Sequence, residues 1–383
     1  MQIEQLFLLA AAKKASDLLL CEGSPILLKI NGDFIPVNKQ EYLTGQAVLN
    51  LLMPVLSQEQ VATLQLDKEL NTGIRRPEIG TFRLSAFVQK GQYSAVFRYV
   101  PTEIPSMAAL NLPATLSELV TQKRGLILVC GATGSGKSST IASMIEARNQ
   151  AQAGHILTIE DPIEFVFTPK LSAISQREVG VDSASMQVAL KNALRQTPDL
   201  IFIGEIRDQH AMTAALTYAM SGHLVVSTLH ANNSYHALSR ILSMYPPESR
   251  SVLLSDMSVA LKTVITQRLM RAVDGGRLPV LEVLMNTQLT ADLIAENRLD
   301  EIKEAMTNSL ARGSQTFEQT LLTYINAGKI SQDEAMLNAD SPTNLLWLLN
   351  NQGVAKSSAQ AKAGDVHGRD LPSTYQEFNF AQR

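Results

Sequence analysis

Cysteine is scarce in this sequence: among 383 residues only Cys21 and Cys130 carry thiols, far apart and outside any CxxC pair. That excludes a four-cysteine zinc site and points to a reducing compartment, with a single disulfide still open. Clusters of Lys and Arg are lacking too. With a net charge of −3 and no basic run, the chain has no bulk means of displacing counterions from a polyanion, so direct nucleic-acid binding is not expected. No apolar stretch reaches the roughly 18 to 20 residues that span a bilayer. The amino terminus, MQIEQLFLLAAAKKASD, is apolar only briefly and carries Glu4 where a secretory signal wants positive charge; it reads as the amphipathic first helix of a cytoplasmic protein. Internal repeats are absent. What remains, 45% hydrophobic and 18% charged, is the balance of an ordinary globular protein, long enough for two domains with a core each.

The first hundred residues read as a small α+β domain. In DLLLCEGSPILLKINGDFIPVN short apolar runs are broken by EGSP and NGD, the second a hairpin signal because Asn and Gly accept positive φ. EYLTGQAVLNLLMPVLSQEQVATLQ has Leu and Val at helical spacing. GTFRLSAFVQKGQYSAVFRYVP alternates apolar and polar residues about a QKGQ turn, a second hairpin. Pro101, Pro105 and Pro113 then mark a linker over 101–118. From Gly125 the grammar changes to apolar strands alternating with helices: GLILVC, HILTIE, LIFIGE and LVVSTLH. Such strands predict an α/β domain over 119–340, a mainly parallel sheet covered on both faces. Residues 247–336, including PESRSVLLSDMSVALKTVITQRLMR, read as mostly helical, and the polar tail over 341–383 as flexible.

GATGSGKS, Gly131 to Ser138, fits GxxxxGK[ST] in full, and it follows a buried strand and opens a helix. Glycine lets backbone N–H groups wrap phosphates, and the helix amino terminus adds positive potential. Gly131, Ala132, Thr133, Gly134, Ser135, Gly136, Lys137, Ser138 and Ser139 are therefore expected to bind a nucleotide, ATP with Mg²⁺. Lys137 would reach the β- and γ-phosphates, and the Ser138 hydroxyl would ligate Mg²⁺. Glu205 closes the strand LIFIGE, where a carboxylate would hold Mg²⁺ through water or orient the attacking water. IEDPIEF adds Glu160, Asp161 and Glu164, suited to metal positioning or general-base work; solvated loop acids are the plainer reading. Cys130, directly before the loop, is more simply a small buried strand residue than a redox switch. His223 and His230 bracket LVVSTL and, as a bare pair, are core residues more often than metal ligands.

Taken together, GATGSGKS, IEDPIEF, GEIRD and GHLVVSTLHANNS resemble, in order, the Walker A, aspartate, Walker B and histidine boxes of the secretion ATPase superfamily. Their order and spacing are similar to those of the type IV pilus retraction ATPases of the PilT/PilU family. The resemblance reaches to about residue 340 and includes SDLLLCEGSPILLKINGDF and FRLSAFVQKGQYSAVFR. It implies a hexameric ring of subunits, each with a PAS-like amino-terminal domain and a RecA-like motor domain, with ATP between the two. It implies Glu164 as general base, Glu205 as the Walker B glutamate, His230 as a sensor of the γ-phosphate, and Arg83 and Arg98 as arginines that approach the phosphates. Cross-strand ion pairing is the alternative for both arginines.

Two departures bear on the branch. Secretion and pilus-extension relatives carry a four-cysteine zinc module after the motor core, and this chain has no cysteine beyond Cys130. The AIRNLIRE stretch of PilT-type motors is replaced by LTADLIAENRLDE, residues 289–301. The first sets the chain apart from secretion and extension motors; the second, with the polar tail past residue 350, resembles the accessory, PilU-type branch and implies a PilT-type ring and an inner-membrane pilus platform as partners at the cytoplasmic base of the pilus machine. A nucleotide-dependent regulatory subunit, an extension or type II secretion ATPase, and a nucleic-acid translocase are the alternatives.

Overall fold

Two β-sheets, built on different strand patterns, carry the chain in its computed structural model, which describes residues 2–351 apart from 31–32, 77, 101–102 and 310. The first is formed by β1 (Asp17–Leu20), β2 (Leu27–Ile30), β3 (Asp33–Pro36), β4 (Glu69–Arg76), β5 (Gly80–Gln89) and β6 (Gln92–Val100). Their order is β3-β2-β1-β6-β5-β4, and every pairing is antiparallel. Lys90 and Gly91 hold φ of 50° and 77°, the paired left-handed conformation of a two-residue hairpin turn, and so close the QKGQ hairpin as expected. The expected NGD turn falls partly on residues outside the described ones; its flanking strands pair with Ile30 opposite Asp33.

Helices α1 (Ile3–Ala12), α2 (Gly45–Leu52) and α3 (Gln58–Asp67) complete this body. The single helical run expected over 41–65 is divided by a 3₁₀ turn at Met53–Val55, where Pro54 removes a backbone donor, and Ser57 restarts the helix by accepting from the Gln60 N–H at 3.1 Å. Phe7 of α1 stacks on Phe82 at 4.0 Å and meets Phe97 edge-on at 5.2 Å, which fixes the helix across the sheet.

The second sheet has the order β13-β12-β7-β11-β10-β8-β9. Its strands are β7 (Gly125–Cys130), β8 (Gly154–Glu160), β9 (Ser172–Glu178), β10 (Leu200–Ile203), β11 (Leu224–Leu229), β12 (Leu261–Arg271) and β13 (Arg277–Met285). All neighbours run parallel except β12 and β13. The connecting helices are α4 (Thr115–Val120), α5 (Lys137–Ala151), α6 (Met186–Ala193), α7 (Gln209–Met220), α8 (Ser234–Ser243), α9 (Arg250–Ala260), α10 (Gln288–Ala295) and α11 (Ile302–Thr307). Every residue of β7 is buried, and its side chains alternate between two cores: Leu126 and Leu128 join Met212, Leu216 and Leu253, while Ile127 and Val129 join Leu116, Ile141 and Ile145. Both faces are therefore covered, the α/β arrangement expected of such strands.

One expectation is overturned here. Residues 261–285 form the β12–β13 hairpin and not helix. Apolar residues at 261, 264, 265, 269 and 270 mimic helical spacing, but Thr263, Val264, Ile265 and Thr266 are a β-branched run that packs better on a pleated surface. Strands β4 and β9 were likewise not foreseen. Among the described residues, those from Phe317 to 351 form a second compact unit that includes α12 (Phe317–Asn326) and α13 (Gln332–Asn338). Within it the Glu318 carboxylate accepts from the Ser341 N–H at 2.8 Å. Of the flexible tail expected over 341–383, residues 342–351 are instead helical, with Leu345 buried, and residues 352–383 lie outside the described residues.

Candidate nucleotide-binding and hydrolysis site

The loop between β7 and α5 is shaped by what glycine permits. Gly134 and Gly136 hold φ of 79° and 86°. A Cβ at Gly136 would stand 2.8 Å from Gln267 Nε2, and one at Gly131 2.5 Å from the Gln267 carbonyl oxygen, so neither position admits a side chain. Gln267, buried on β12, clamps the loop from below: its Nε2 donates to the Ser135 carbonyl at 2.7 Å, and its Oε1 accepts from Thr140 Oγ1 at 2.7 Å. Sequence reading missed Gln267 because it lies 132 residues from Ser135, in the run expected to be helical. Lys137 Nζ donates to the carbonyls of Gly131 at 2.8 Å and Ala132 at 2.9 Å. Burial pulls its pKa down, while the carboxylates of Glu205 and Glu164 hold it up in part. Cys130 is fully buried beneath the loop and its thiol is pushed up to about 12, which removes the redox reading.

A cleft of 720 Å³ opens beside this loop. Thr133, Gly134, Gly136, Lys137, Ser138 and Ser139 form one wall, the strand-end residues Glu160, Glu164, Glu205 and His230 another, and Arg83 and Arg98 reach it from the first sheet. Ser135 is buried beneath the loop instead, and Gly131 and Ala132 line a separate 430 Å³ recess with His230, His236 and Arg240. Parallel order explains the convergence: β7, β11, β10 and β8 all end on the same side, where open α/β sheets hold ligands.

Several charged groups in the cleft are paired with one another. His230 Nε2 lies 3.1 Å from Glu205 Oε1, and Arg207 Nε donates to Glu205 Oε2 at 2.8 Å. Arg207 Nη1 also stands 3.6 Å from Asp161 Oδ2, so this arginine, present in GEIRD but given no role from sequence, links the two acidic strand ends. Arg83 Nη1 donates to Glu164 Oε1 at 2.8 Å. Arg98 Nε donates to Asp17 Oδ1 at 3.1 Å, its register partner on β1, which is the cross-strand pairing kept as its alternative. The two histidines are unequal. His223 Nδ1 sits at the turn before β11, 3.1 Å from Ser221 Oγ and 3.3 Å from the Tyr218 carbonyl, well away from the cleft lining.

The segment carrying Glu164 has no regular structure, so side chains satisfy its backbone. Glu178 Oε2 accepts from the Ile163 N–H at 3.2 Å, and Glu160 Oε2 accepts from the Glu164 N–H at 3.4 Å. Gln176 Nε2 donates to the Phe165 carbonyl at 2.8 Å, and its Oε1 accepts from the Phe167 N–H at 2.8 Å. Glu160 is itself buried, and desolvation pushes its carboxyl up to about 7 despite the hydrogen bond from Thr158. A raised carboxyl pKa stabilises the fold in the neutral form: the contribution is complete below about 4.5 and is lost as pH climbs through about 7. Glu160→Gln is therefore expected to melt higher than the wild type near pH 8, by up to about 3 kcal/mol of stability, with the difference vanishing near pH 5. Equal melting at both pH values would show Glu160 ionised in the fold.

The donor set suits a nucleoside triphosphate. The cleft volume falls within the range of about 300 to 1,000 Å³ typical of small-molecule sites, and cations and hydroxyls face carboxylates across it. Among the described residues no group of three or more His, Cys, Asp or Glu converges as a self-sufficient metal centre. A Mg²⁺ here would share a phosphate shell, the mode that needs only one or two protein ligands.

Comparison with known proteins agrees with this geometry. Residues 106–336 match the family described as "Type II/IV secretion system protein". The chain is 41% identical over 350 residues to the type IV pilus ATPase PilU of Pseudomonas aeruginosa, covering 91% of each chain. It is 35% identical to the retraction ATPase PilT of the same organism, covering 90% of this chain and all of that one. In three dimensions it is similar to the crystal structure of the pilus retraction motor PilT with bound ADP, with a TM-score of 0.83, 37% identity, and coverage of 90% of this chain and 98% of the other. The DotB ATPase of Legionella pneumophila follows at a TM-score of 0.75 and 26% identity, over 88% of this chain and 95% of its own.

Proposed function

Because the chain belongs to the type II/IV secretion system protein family and, within it, to the PilT/PilU type IV pilus ATPases, we propose that it is the accessory, PilU-type motor of pilus retraction. It is a P-loop ATPase that converts ATP and water to ADP and phosphate. One observation carries the reading: the phosphate loop, Glu164, Glu205 and His230 meet Arg83 of the other sheet in a single cleft.

Each side chain then has a task. Lys137 and the loop N–H groups bind and orient the phosphates, and the Ser138 hydroxyl offers a ligand to Mg²⁺. Mg²⁺, when bound, neutralises phosphate charge as it develops. Glu164 takes the proton of the attacking water, for which its carboxylate, about one-third exposed, is placed beside the loop. Glu205 is held by His230 and Arg207, where it would orient water on a bound Mg²⁺. His230 senses the terminal phosphate by exchanging its contact with Glu205 for one with a phosphate oxygen. Arg83 and Arg98, carried on β5 and β6, bring positive charge when the first sheet closes on the cleft. In this division of labour residues 1–100 are a closing body, 119–340 the motor and 101–118 the hinge between them. Working copies form a hexameric ring in the cytoplasm, at the inner-membrane base of the pilus machine, against its platform protein and a PilT-type ring.

The test measures phosphate release by the purified full chain with Mg²⁺, alone and mixed with a PilT-type ring. Turnover is expected in both, several-fold faster per subunit in the mixture. A chain that binds ATP and the ring yet never turns over would be a regulatory subunit, and the motor reading would be lost.

A further inference from the structure

Glu178 ends β9 outside all of the motifs discussed above, yet it touches both bodies that the cleft separates. Its side chain is buried, and its Oε2 both accepts from the Ile163 N–H at 3.2 Å and lies 4.0 Å from Nη2 of Arg75 on β4. Residue 73 is glycine: a Cβ there would lie 3.4 Å from Glu178 Oε1, already at van der Waals contact, so a side chain larger than that of alanine would crowd the carboxylate. Gly73 is also the register partner of Arg83, the residue that reaches Glu164. Two neighbouring points of the first sheet thus bear on one short segment, Arg83 on the Glu164 side chain and the Gly73–Arg75 stretch on the carboxylate that holds the Ile163 backbone.

We propose that Glu178 is a positioning residue that ties the placement of Glu164 to the first sheet, so that hydrolysis is fast only while Arg75 and Glu178 are engaged. This rests on the reading of Glu164 as the base. The physical ground is that the segment 161–167 draws its backbone partners from side chains, chiefly Glu178, Glu160 and Gln176, and so moves with whatever moves them. Of these three, only Glu178 is ion-paired to the first sheet among the described residues. Phosphate binding by the loop uses none of these contacts, so Glu178 governs turnover and leaves affinity alone.

The experiment is a double-mutant cycle on the full chain, reading kcat, KM and nucleotide affinity for Arg75→Ala, Glu178→Gln and the pair. Arg75 is half exposed, and its removal is expected to lower kcat about 3- to 10-fold with KM within about twofold. Glu178→Gln keeps an acceptor for Ile163 but loses the charge, and should lower kcat about 10-fold, with the double variant no slower than it. Gly73→Val, which crowds the carboxylate from the other side, should give the same selective loss and serves if Glu178→Gln does not fold. Losses that multiply in the double variant, or a Gly73→Val enzyme with unchanged kcat, would overturn the proposal while Glu164→Gln stays inactive. Normal turnover by Glu164→Gln would instead overturn the base assignment, and this proposal with it.

Discussion

Lys137→Ala is expected to leave no measurable ATP turnover and to weaken nucleotide binding about 10- to 100-fold, since a charge-assisted hydrogen bond contributes about 1.5–3 kcal/mol. The residue is suited to that loss. It opens α5 directly after Gly136, its ammonium already lies against the loop carbonyls of Gly131 and Ala132, and its pKa is lowered chiefly by burial. A phosphate beside it restores the charge that burial disfavours, so binding and ionisation support each other. Alanine is a strong helix former, and the Gln267 clamp on Ser135 and Thr140 does not involve Lys137, so the loop keeps its shape. Phosphate release, titration with a fluorescent nucleotide and a melting curve check the three parts. A variant that keeps a tenth of wild-type turnover would remove Lys137 from the phosphates.

Glu164→Gln should separate what Lys137→Ala joins. A general base contributes about 100- to 10,000-fold, so kcat should fall by at least about 100-fold while nucleotide affinity changes little. The amide keeps the shape and still accepts from Arg83, and both side chains are about one-third exposed, so the change disturbs the fold weakly. Full binding with lost turnover identifies the base. Should Glu164→Gln hydrolyse normally and Glu205→Gln fail, the base is Glu205, already held between His230 and Arg207.

What could be read from the sequence was local. The phosphate loop announces itself because its glycines, lysine and serine are dictated by backbone geometry within eight residues, and the QKGQ turn because Gly91 and Lys90 supply the left-handed pair. The four strands that converge on the cleft show as apolar runs because both sheet faces are covered. The supports of the site were hidden for two reasons. Gln267 sits in a strand whose apolar spacing imitates a helix, and β9, with the sequence SAISQRE, is too polar to announce a strand although Gln176 and Glu178 are its working residues. The contacts of Arg83 with Glu164 and of Gln267 with Ser135 span 81 and 132 residues, and no local pattern encodes them.

The two thiols have a practical consequence. Cys130 is sealed under the phosphate loop, where burial pushes its thiol up to about 12, so alkylating reagents are expected to react with it far more slowly than with an exposed cysteine. Cys21, partly exposed just after β1, is the one handle left. A maleimide dye added to the unmodified chain therefore tags the first sheet at one position without a single engineered cysteine, slowly because burial also raises that thiol.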